Sequence, residues 1–359
     1  MAGPPIEGNP SDAHLDPDPA AWPVLVTGAS GFVGGHVARD LAGRGHFVRG
    51  LTRSEPVVEP GDPPIEWARG DLRDPADRRR ALRGVRGVVH AASWVSLGAD
   101  PRGEGRSVNV EATRGLLADC VAAGVERLAY TSTLHTLAAG SAESPADEST
   151  PWNLHRVDSP YARTKRAAEE LVRAGVDGRL STVALCPGMV VGARDRKPTS
   201  TSLIIALARA PVACLPGGGI PIVDARVVAV AHRRALMAGG SGERYALAGP
   251  YLSFAELAGL VRRVAGRPRR TFPLPDACAG PLIRGAGWLD RLLGGRRVEV
   301  SAAAVAGGFL RLHVTGRRAD ATFGLVHPDP AESVALALAD AARLGHWRGR
   351  VAAGQSDLR

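Results

Sequence analysis

A phenol and a primary amine set four positions apart are where chemistry first shows in this sequence. In Tyr161-Ala162-Arg163-Thr164-Lys165 the two groups fall at i and i+4, a spacing that places both on one face of a helix. A cation beside a phenol stabilises phenolate and draws its pKa toward neutrality, which makes the hydroxyl usable as a general acid or base. Composition sharpens the signal. Of the 45 basic residues, 43 are arginines and only Lys165 and Lys197 are lysines, and the chain has just four tyrosines. A lysine kept at this place points to a task that the broad, planar guanidinium does not fill.

A third member is expected where the strand Leu128-Ala129-Tyr130-Thr131 exits as Ser132-Thr133-Leu134-His135. A hydroxyl at the carboxyl end of a parallel strand faces the ligand crevice and can orient a carbonyl or alcohol. Thr133 is the first choice and Ser132 the alternative. His135, two residues beyond Thr133, shares its side if the strand continues; it either meets a substrate or packs as an ordinary histidine.

Upstream, the apolar run Val24-Leu25-Val26 leads into Thr27-Gly28-Ala29-Ser30-Gly31-Phe32-Val33-Gly34. Between a strand and a helix, a GxxGxxG spacing has a mechanical reading. Gly28 permits the tight turn, Gly31 lets the backbone approach a pyrophosphate, and Gly34 lets helix and strand pack closely, while the helix amides hold the phosphates. Ser30, Phe32 and Val33 belong to the same loop. The second strand, Phe47 to Thr52, ends in Arg53-Ser54 with no acidic residue. An acid there would hydrogen-bond ribose hydroxyls and repel a 2′-phosphate, whereas Arg53 would pair with that phosphate. NADP(H) is therefore expected over NAD(H).

These groups need a scaffold, and the sequence writes one. Further strands are expected at Val88-Val89-His90-Ala91 and Thr182-Val183-Ala184-Leu185, with helices near Ala76 to Leu82, Val110 to Ala123 and Ala162 to Arg173. Strands alternating with helices mean an α/β fold, a Rossmann-type doubly wound parallel sheet joined by crossover helices.

With these residues in place, the chain resembles the extended short-chain dehydrogenases/reductases, the NAD-dependent epimerase/dehydratase superfamily. The motifs that carry the likeness are TGASGFVG, Gly70-Asp71-Leu72-Arg73-Asp74, Val89-His90-Ala91-Ala92, Val108-Asn109-Val110, Tyr130-Thr131-Ser132-Thr133, YARTK and Cys186-Pro187-Gly188. They span residues 24–344. The resemblance implies that Asp71 and Leu72 contact adenine, that Ala91, Ala92 and Ser132 line the cofactor, and that Pro187 to Val190 border the nicotinamide. It implies that Tyr161 and Lys165 meet the cofactor as well. Ser93, His135 and Arg194 are the candidate substrate contacts. The stretches Gly192 to Thr199 and Gly242 to Gly249 are similar to the dihydroflavonol-reductase-like branch.

Substrate-side residues then separate the reactions of the superfamily. Relatives that dehydrate sugar nucleotides place an Asp-Glu pair directly after the catalytic Thr, and here Leu134 and His135 stand in those positions. Without that acid, elimination of water is disfavoured. The expected activity is an NADPH-dependent reductase of a ketone or aldehyde, acting on a small hydrophobic or secondary-metabolite substrate. A sugar-nucleotide 4-epimerase and a catalytically silent NADP-binding regulator are the alternatives.

The remaining features bound partners and organisation. A formal charge of +9 raises polyanion binding, but the arginines are dispersed and aromatic residues make up only 4% of the chain, leaving few stacking platforms. No nucleic acid is expected. Cys120, Cys186, Cys214 and Cys278 lie far apart with no CxxC, so neither a metal site nor a disulfide framework is expected. No run is apolar enough to span a membrane, the location expected is cytoplasmic, and a homodimer follows from the family likeness. The organisation expected is a disordered leader at 1–22, a dinucleotide-binding domain at 23–187 with a returning segment near 221–249, a smaller C-terminal substrate-binding lobe at 188–220 and 250–345, and a flexible tail at 346–359. Trp288 and Leu289, on an expected helix of that lobe, either receive an apolar substrate or simply help a small lid to fold.

Overall fold

The computed structural model describes residues 22–352 apart from 97–99, 101, 158, 176–177, 211–212, 268–270, 293–301 and 350. The expected leader, except Trp22, and the last seven residues of the expected tail lie outside the described residues.

The chain runs β1 (Pro23–Thr27), α1 (Phe32–Gly43), β2 (Phe47–Thr52), β3 (Glu66–Arg69), α2 (Pro75–Ala81), β4 (Gly87–His90), α3 (Ala112–Ala122), β5 (Arg127–Thr131), α4 (Pro160–Ala174), β6 (Ser181–Pro187) and β7 (Met189–Val191). It continues as α5 (Ser200–Arg209), β8 (Ala213–Leu215), β9 (Gly219–Asp224), α6 (Ala225–Ala238), β10 (Glu243–Leu247), β11 (Tyr251–Ser253), α7 (Phe254–Val264), β12 (Thr271–Pro273), α8 (Ala279–Leu292), α9 (Ala302–Phe309), α10 (Arg317–Phe323) and α11 (Pro330–Arg343). Seven strands form one sheet in the order β3-β2-β1-β4-β5-β6-β10, and every pairing in it is parallel. The doubly wound arrangement read from the sequence is thus the observed one.

Strand periodicity explains the layers. On β1, Val24 and Val26 face one side, packing with Val37 and Leu41 of α1 and Val228, Ala231 and Ala235 of α6. Leu25 faces the other, among Leu82, Leu116, Leu128, Tyr130, Ala168 and Val172 from β5 and from α2, α3 and α4 or their ends. Successive side chains alternate across a sheet, so a continuously apolar strand is buried on both faces. Two buried arginines tie the outer helices together: Arg233 Nε donates to Asp40 across α6 and α1 at 2.8 Å, and Arg78 Nε to Asp119 across α2 and α3 at 2.6 Å.

The lobe has its own core. Ile204, Leu207, Leu257, Val261, Val334 and Leu338 bring α5, α7 and α11 together over β7 and β9. Its packing passes the boundary expected at residue 345, because Trp347 is buried in the same cluster and His346 Nε2 lies 3.0 Å from the Arg196 carbonyl. The expected flexible tail therefore does not begin at 346. No helix among the described residues is long and apolar enough to cross a membrane.

Candidate functional site

In a parallel sheet the ligand crevice opens where the strand order reverses, here between the carboxyl ends of β1 and β4. Gly28 turns there with φ +71°. A Cβ on it would stand 2.8 Å from the Ala92 backbone, so the loop after β1 and the loop after β4 touch only because residue 28 has no side chain. A Cβ on Gly34 would meet the Gly28 carbonyl oxygen at 2.4 Å, which is the close approach of helix and turn expected of the third glycine. Gly31 caps α1 without any side-chain hydrogen bond, so the first-turn amides carry no protein side-chain cap. A cradle with no room for a Cβ, at an uncapped helix start, fits a dinucleotide pyrophosphate.

A buried imidazole fixes this junction. His90 is fully enclosed, and burial lowers its pKa to about 3, so it is neutral. Thr113 donates to the Asn109 carbonyl at 2.6 Å, which leaves its oxygen to accept from His90 Nε2 at 2.8 Å. His90 Nδ1 then accepts from Thr27 at 2.8 Å, and Thr27 accepts from the Ala92 amide at 3.2 Å. The chain of donors sets the tautomer and holds Ala91 and Ala92 against the glycine turn.

At the adenosine end, Thr52 Oγ1 lies 3.0 Å from Ser30, joining the tip of β2 to the glycine loop. Arg53 is exposed next to this contact, and its charge helps lower the pKa of Asp71, chiefly depressed by the hydrogen bond from Arg73. Asp71 is paired with Arg73 at 2.6 Å, whereas the Leu72 side chain is buried with Leu51 and Leu82.

The catalytic candidates assemble on α4 and β5. Ser159 caps α4 through the Ala162 amide at 3.1 Å and Pro160 occupies the first turn, which fixes where Tyr161 leaves the helix. The Tyr161 phenol is half-buried, and Thr133 is near enough to pull its pKa down. Lys165 is buried; its Nζ donates to the Thr131 carbonyl at 2.5 Å and stands 4.2 Å over the Tyr130 ring. Burial draws the Lys165 pKa down to about 7, partly opposed by Glu169.

Here the sequence expectation needs correction. The Tyr161 phenol is not drawn toward neutrality; burial raises it to about 12, against the pull of Thr133. The physical reason is that the ammonium is directed to Thr131 and Tyr130, so desolvation dominates at the phenol. A phenol at 12 holds its proton at neutral pH, the state a proton donor needs.

Other candidates sort by contact. Ser132 turns away from Tyr161 and donates to buried Glu169 at 2.5 Å, leaving Thr133 as the hydroxyl at the site. The strand stops at Thr131, and residues Leu134–Thr136 form a 3-10 turn that keeps His135 Nδ1 3.3 Å from Thr133 Oγ1; burial lowers the His135 pKa. Ser93 donates to Asn109 Oδ1 at 3.1 Å beside the loop after β4. Arg194 is engaged by two carboxylates. Its Nη1 pairs with Asp62 at 2.8 Å and its Nη2 with Glu59 at 3.2 Å, bonds that the sequence spacing could not reveal. Pro187 and Val190 are buried where β6 passes into β7, with Gly188 packed so closely that a Cβ would meet the Pro221 carbonyl at 2.3 Å. Trp288 and Leu289 are exposed on α8.

Two residues of the site carried signals that the sequence reading left unassigned. Asn109, quoted only within Val108-Asn109-Val110, sits in a π-helical turn, Arg106–Glu111. Its Oδ1 accepts from the Trp94 amide at 2.7 Å and its Nδ2 donates to Thr164 Oγ1 at 3.0 Å, locking α4 to the loop after β4. Glu169 lies four residues past Lys165 on the same helical face, a period already visible in the sequence. Among the described residues no cluster of His, Cys, Asp and Glu could hold a metal ion.

Comparisons with known proteins agree with this geometry. The model of the NAD dependent epimerase/dehydratase family matches residues 24–233. A provisionally assigned dihydroflavonol 4-reductase from Synechocystis sp. is 29% identical, over 90% of this chain and 93% of that protein. Cinnamoyl-CoA reductase 1 of Oryza sativa subsp. japonica is 30% identical, over 70% of this chain and 79% of its own length. A solved structure of MoeE5 with UDP-glucose and NAD is 25% identical with a TM-score of 0.68, covering 89% of this chain and 98% of that one.

Proposed function

The chain belongs to the NAD dependent epimerase/dehydratase family, and from that membership we propose that it is an NADPH-dependent reductase of a ketone or aldehyde, with a small hydrophobic or secondary-metabolite substrate. It is an oxidoreductase of the extended short-chain type that works with a nicotinamide cofactor. The observation that carries the finer reading is that Tyr161 and buried Lys165 share α4 beside the end of β5, where Lys165 binds the Thr131 carbonyl, with Leu134 and His135 in place of an acidic pair.

The cofactor, when bound, supplies a hydride for the carbonyl carbon. Gly28, Gly31 and Gly34 hold its pyrophosphate, Arg53 its 2′-phosphate, and Lys165 a ribose hydroxyl. Thr133 orients the carbonyl oxygen, and Tyr161 gives that oxygen its proton as negative charge develops there. Names among the similar proteins support reduction, since both curated relatives described above carry reductase names.

A second reading, sugar-nucleotide 4-epimerase, is favoured by the likeness to MoeE5, whose structure holds UDP-glucose and NAD. NADPH oxidation against a panel of aryl and alkyl ketones and aldehydes separates the two. Turnover in the panel that falls at least 100-fold in Tyr161→Phe supports the reductase; inversion of a UDP-sugar with no net NADPH oxidation supports the epimerase. Full turnover by Tyr161→Phe would overturn the proposed role of the phenol.

A further inference from the structure

Beneath the Tyr161 and Lys165 face of α4 lies a buried carboxylate that the reductase reading does not use. Glu169 is 3% exposed, and both of its oxygens are engaged. Oε2 accepts from Ser132 at 2.5 Å, from Thr136 at 2.6 Å and from the Cys186 thiol at 3.5 Å. Oε1 pairs with Arg244 at 3.3 Å. One side chain thus joins α4 to the turn after β5, to β6 and to β10, the strand that returns to the sheet's edge.

Two consequences reach the reacting groups. Ser132 lies one residue before Thr133 and Thr136 three after it, and Thr136 Oγ1 shares its one proton between Glu169 and the Thr133 carbonyl, 2.7 Å away, so Glu169 grips the turn that presents Thr133 to Tyr161. One helical turn separates Glu169 from Lys165, in a dry interior where a charge acts strongly on its neighbours. We propose that Glu169 is a positioning residue: it fixes the Thr133 turn and supplies the negative charge that keeps Lys165 an ammonium. The role rests on the reading of Tyr161 and Lys165 as the working pair, and Glu169 itself touches no substrate.

The surroundings of Lys165 are otherwise poor in opposite charge. Tyr130 on β5, His90 on β4 and His232 on α6 face it as neutral groups, Tyr161 shares its helix, and the Cys186 thiol on β6 is held protonated by burial. Burial lowers the His232 pKa to about 4, against the pull of the Val228 carbonyl 2.7 Å from its Nδ1, so the ring is neutral; its Nε2 lies 2.7 Å from Thr131 Oγ1. Arg244 stands on the far side of Glu169, where it also donates to the Glu148 carbonyl at 2.6 Å. Glu169 is therefore the carboxylate placed to hold the proton on Lys165.

The composition makes a direct test practical, because the chain has only two lysines. With 13C-labelled lysine, the ε-methylene signals of Lys165 and exposed Lys197 can be followed through a pH titration of the whole protein, Lys197→Arg giving the assignment. Lys165 is expected to titrate near 7 in the parent protein and about one pH unit or more lower in Glu169→Gln, with Lys197 unmoved. Glu169→Asp, which keeps the charge, should restore most of the shift. If carbonyl reduction is measurable, the alkaline limb of kcat/KM should move down in parallel in Glu169→Gln, whereas a purely structural role would lower the rate equally at all pH values. Should Glu169→Gln not fold, Arg244→Gln removes the opposing cation and is expected to raise the Lys165 titration. An unchanged Lys165 titration in the folded Glu169→Gln protein, or in Arg244→Gln where that is the variant obtained, overturns the proposal. A shifted titration without carbonyl reduction leaves Glu169 in its role and overturns the reductase reading alone.

Discussion

Replacing Gly34 by Ala tests the cofactor cradle with a single methyl group. The new Cβ would stand 2.4 Å from the Gly28 carbonyl oxygen and 2.7 Å from its carbon, where ordinary contact begins at 3.4 Å, so the turn must retreat by about 1.0 Å (3.4 − 2.4). Gly28 has little freedom to do so, since its own Cβ position lies 2.8 Å from the Ala92 backbone. An amide displaced by about 1 Å turns a hydrogen bond of about 2.9 Å into a separation of about 3.9 Å, which is no bond. Losing one charge-assisted bond to a phosphate costs about 1.5–3 kcal/mol, or about a 10- to 150-fold rise in Kd. Gly43, the last residue of the same helix, provides the control, because a Cβ there meets nothing within 4 Å. Gly43→Ala is expected to leave NADPH affinity unchanged and to add about 0.5 kcal/mol of stability. Calorimetric titration of NADPH into both variants, with thermal melts alongside, gives the comparison. Equal affinity in Gly34→Ala and the parent protein would refute the cradle, as would an equal loss in both variants.

Arg53→Asp should reverse the cofactor preference, weakening NADPH at least tenfold while sparing NADH, in steady-state assays with either nucleotide. An unchanged ratio would remove Arg53 from the site. Stability should fall on mild acidification. His36, His90, His135 and His232 all have pKa values lowered by burial, to about 3 for His90 and about 4 for His232. The unfolded chain, with histidines near 6.5, then binds more protons than the folded one as pH drops below that value, so stability is present above 6.5 and is lost progressively toward 4 and 3. His90 and His232 each account for on the order of 3–5 kcal/mol over the full range. Urea unfolding at pH 7.5 and pH 5 checks this, where the carboxylates stay ionised, and equal stabilities would contradict it.

How far the sequence reveals the molecule depends on whether a residue's partner is close along the chain. β1, β4, β5 and β6 are continuous apolar runs because both of their faces are covered, and they are legible for that reason. β3, Glu-Trp-Ala-Arg at the sheet's edge, has exposed ends and no such run, so nothing marks it. The Tyr161 and Lys165 pair and the glycine turn are readable because one helical face and one turn define them. The direction of Ser132 depends on Glu169, 37 residues away, and that of Arg194 on Glu59 and Asp62, more than 130 residues away, so neither could be read from spacing. The Tyr161 pKa is not legible from spacing for a related reason: the helix places the ammonium near the phenol, but the Thr131 carbonyl and the Tyr130 ring decide where it points.

The central claim is that hydride reaches a carbonyl carbon while Tyr161 protonates its oxygen. It is tested most directly by incubating the protein with NADPH deuterated at the transferring position of C4 and the ketone and aldehyde panel, then analysing products by mass spectrometry and NMR. The account predicts one deuterium on the new carbinol carbon, an exchangeable proton on its oxygen, and one NADP formed per alcohol. NADPH bound by the protein with no deuterated alcohol from any carbonyl, together with an inverted UDP-sugar, would contradict it.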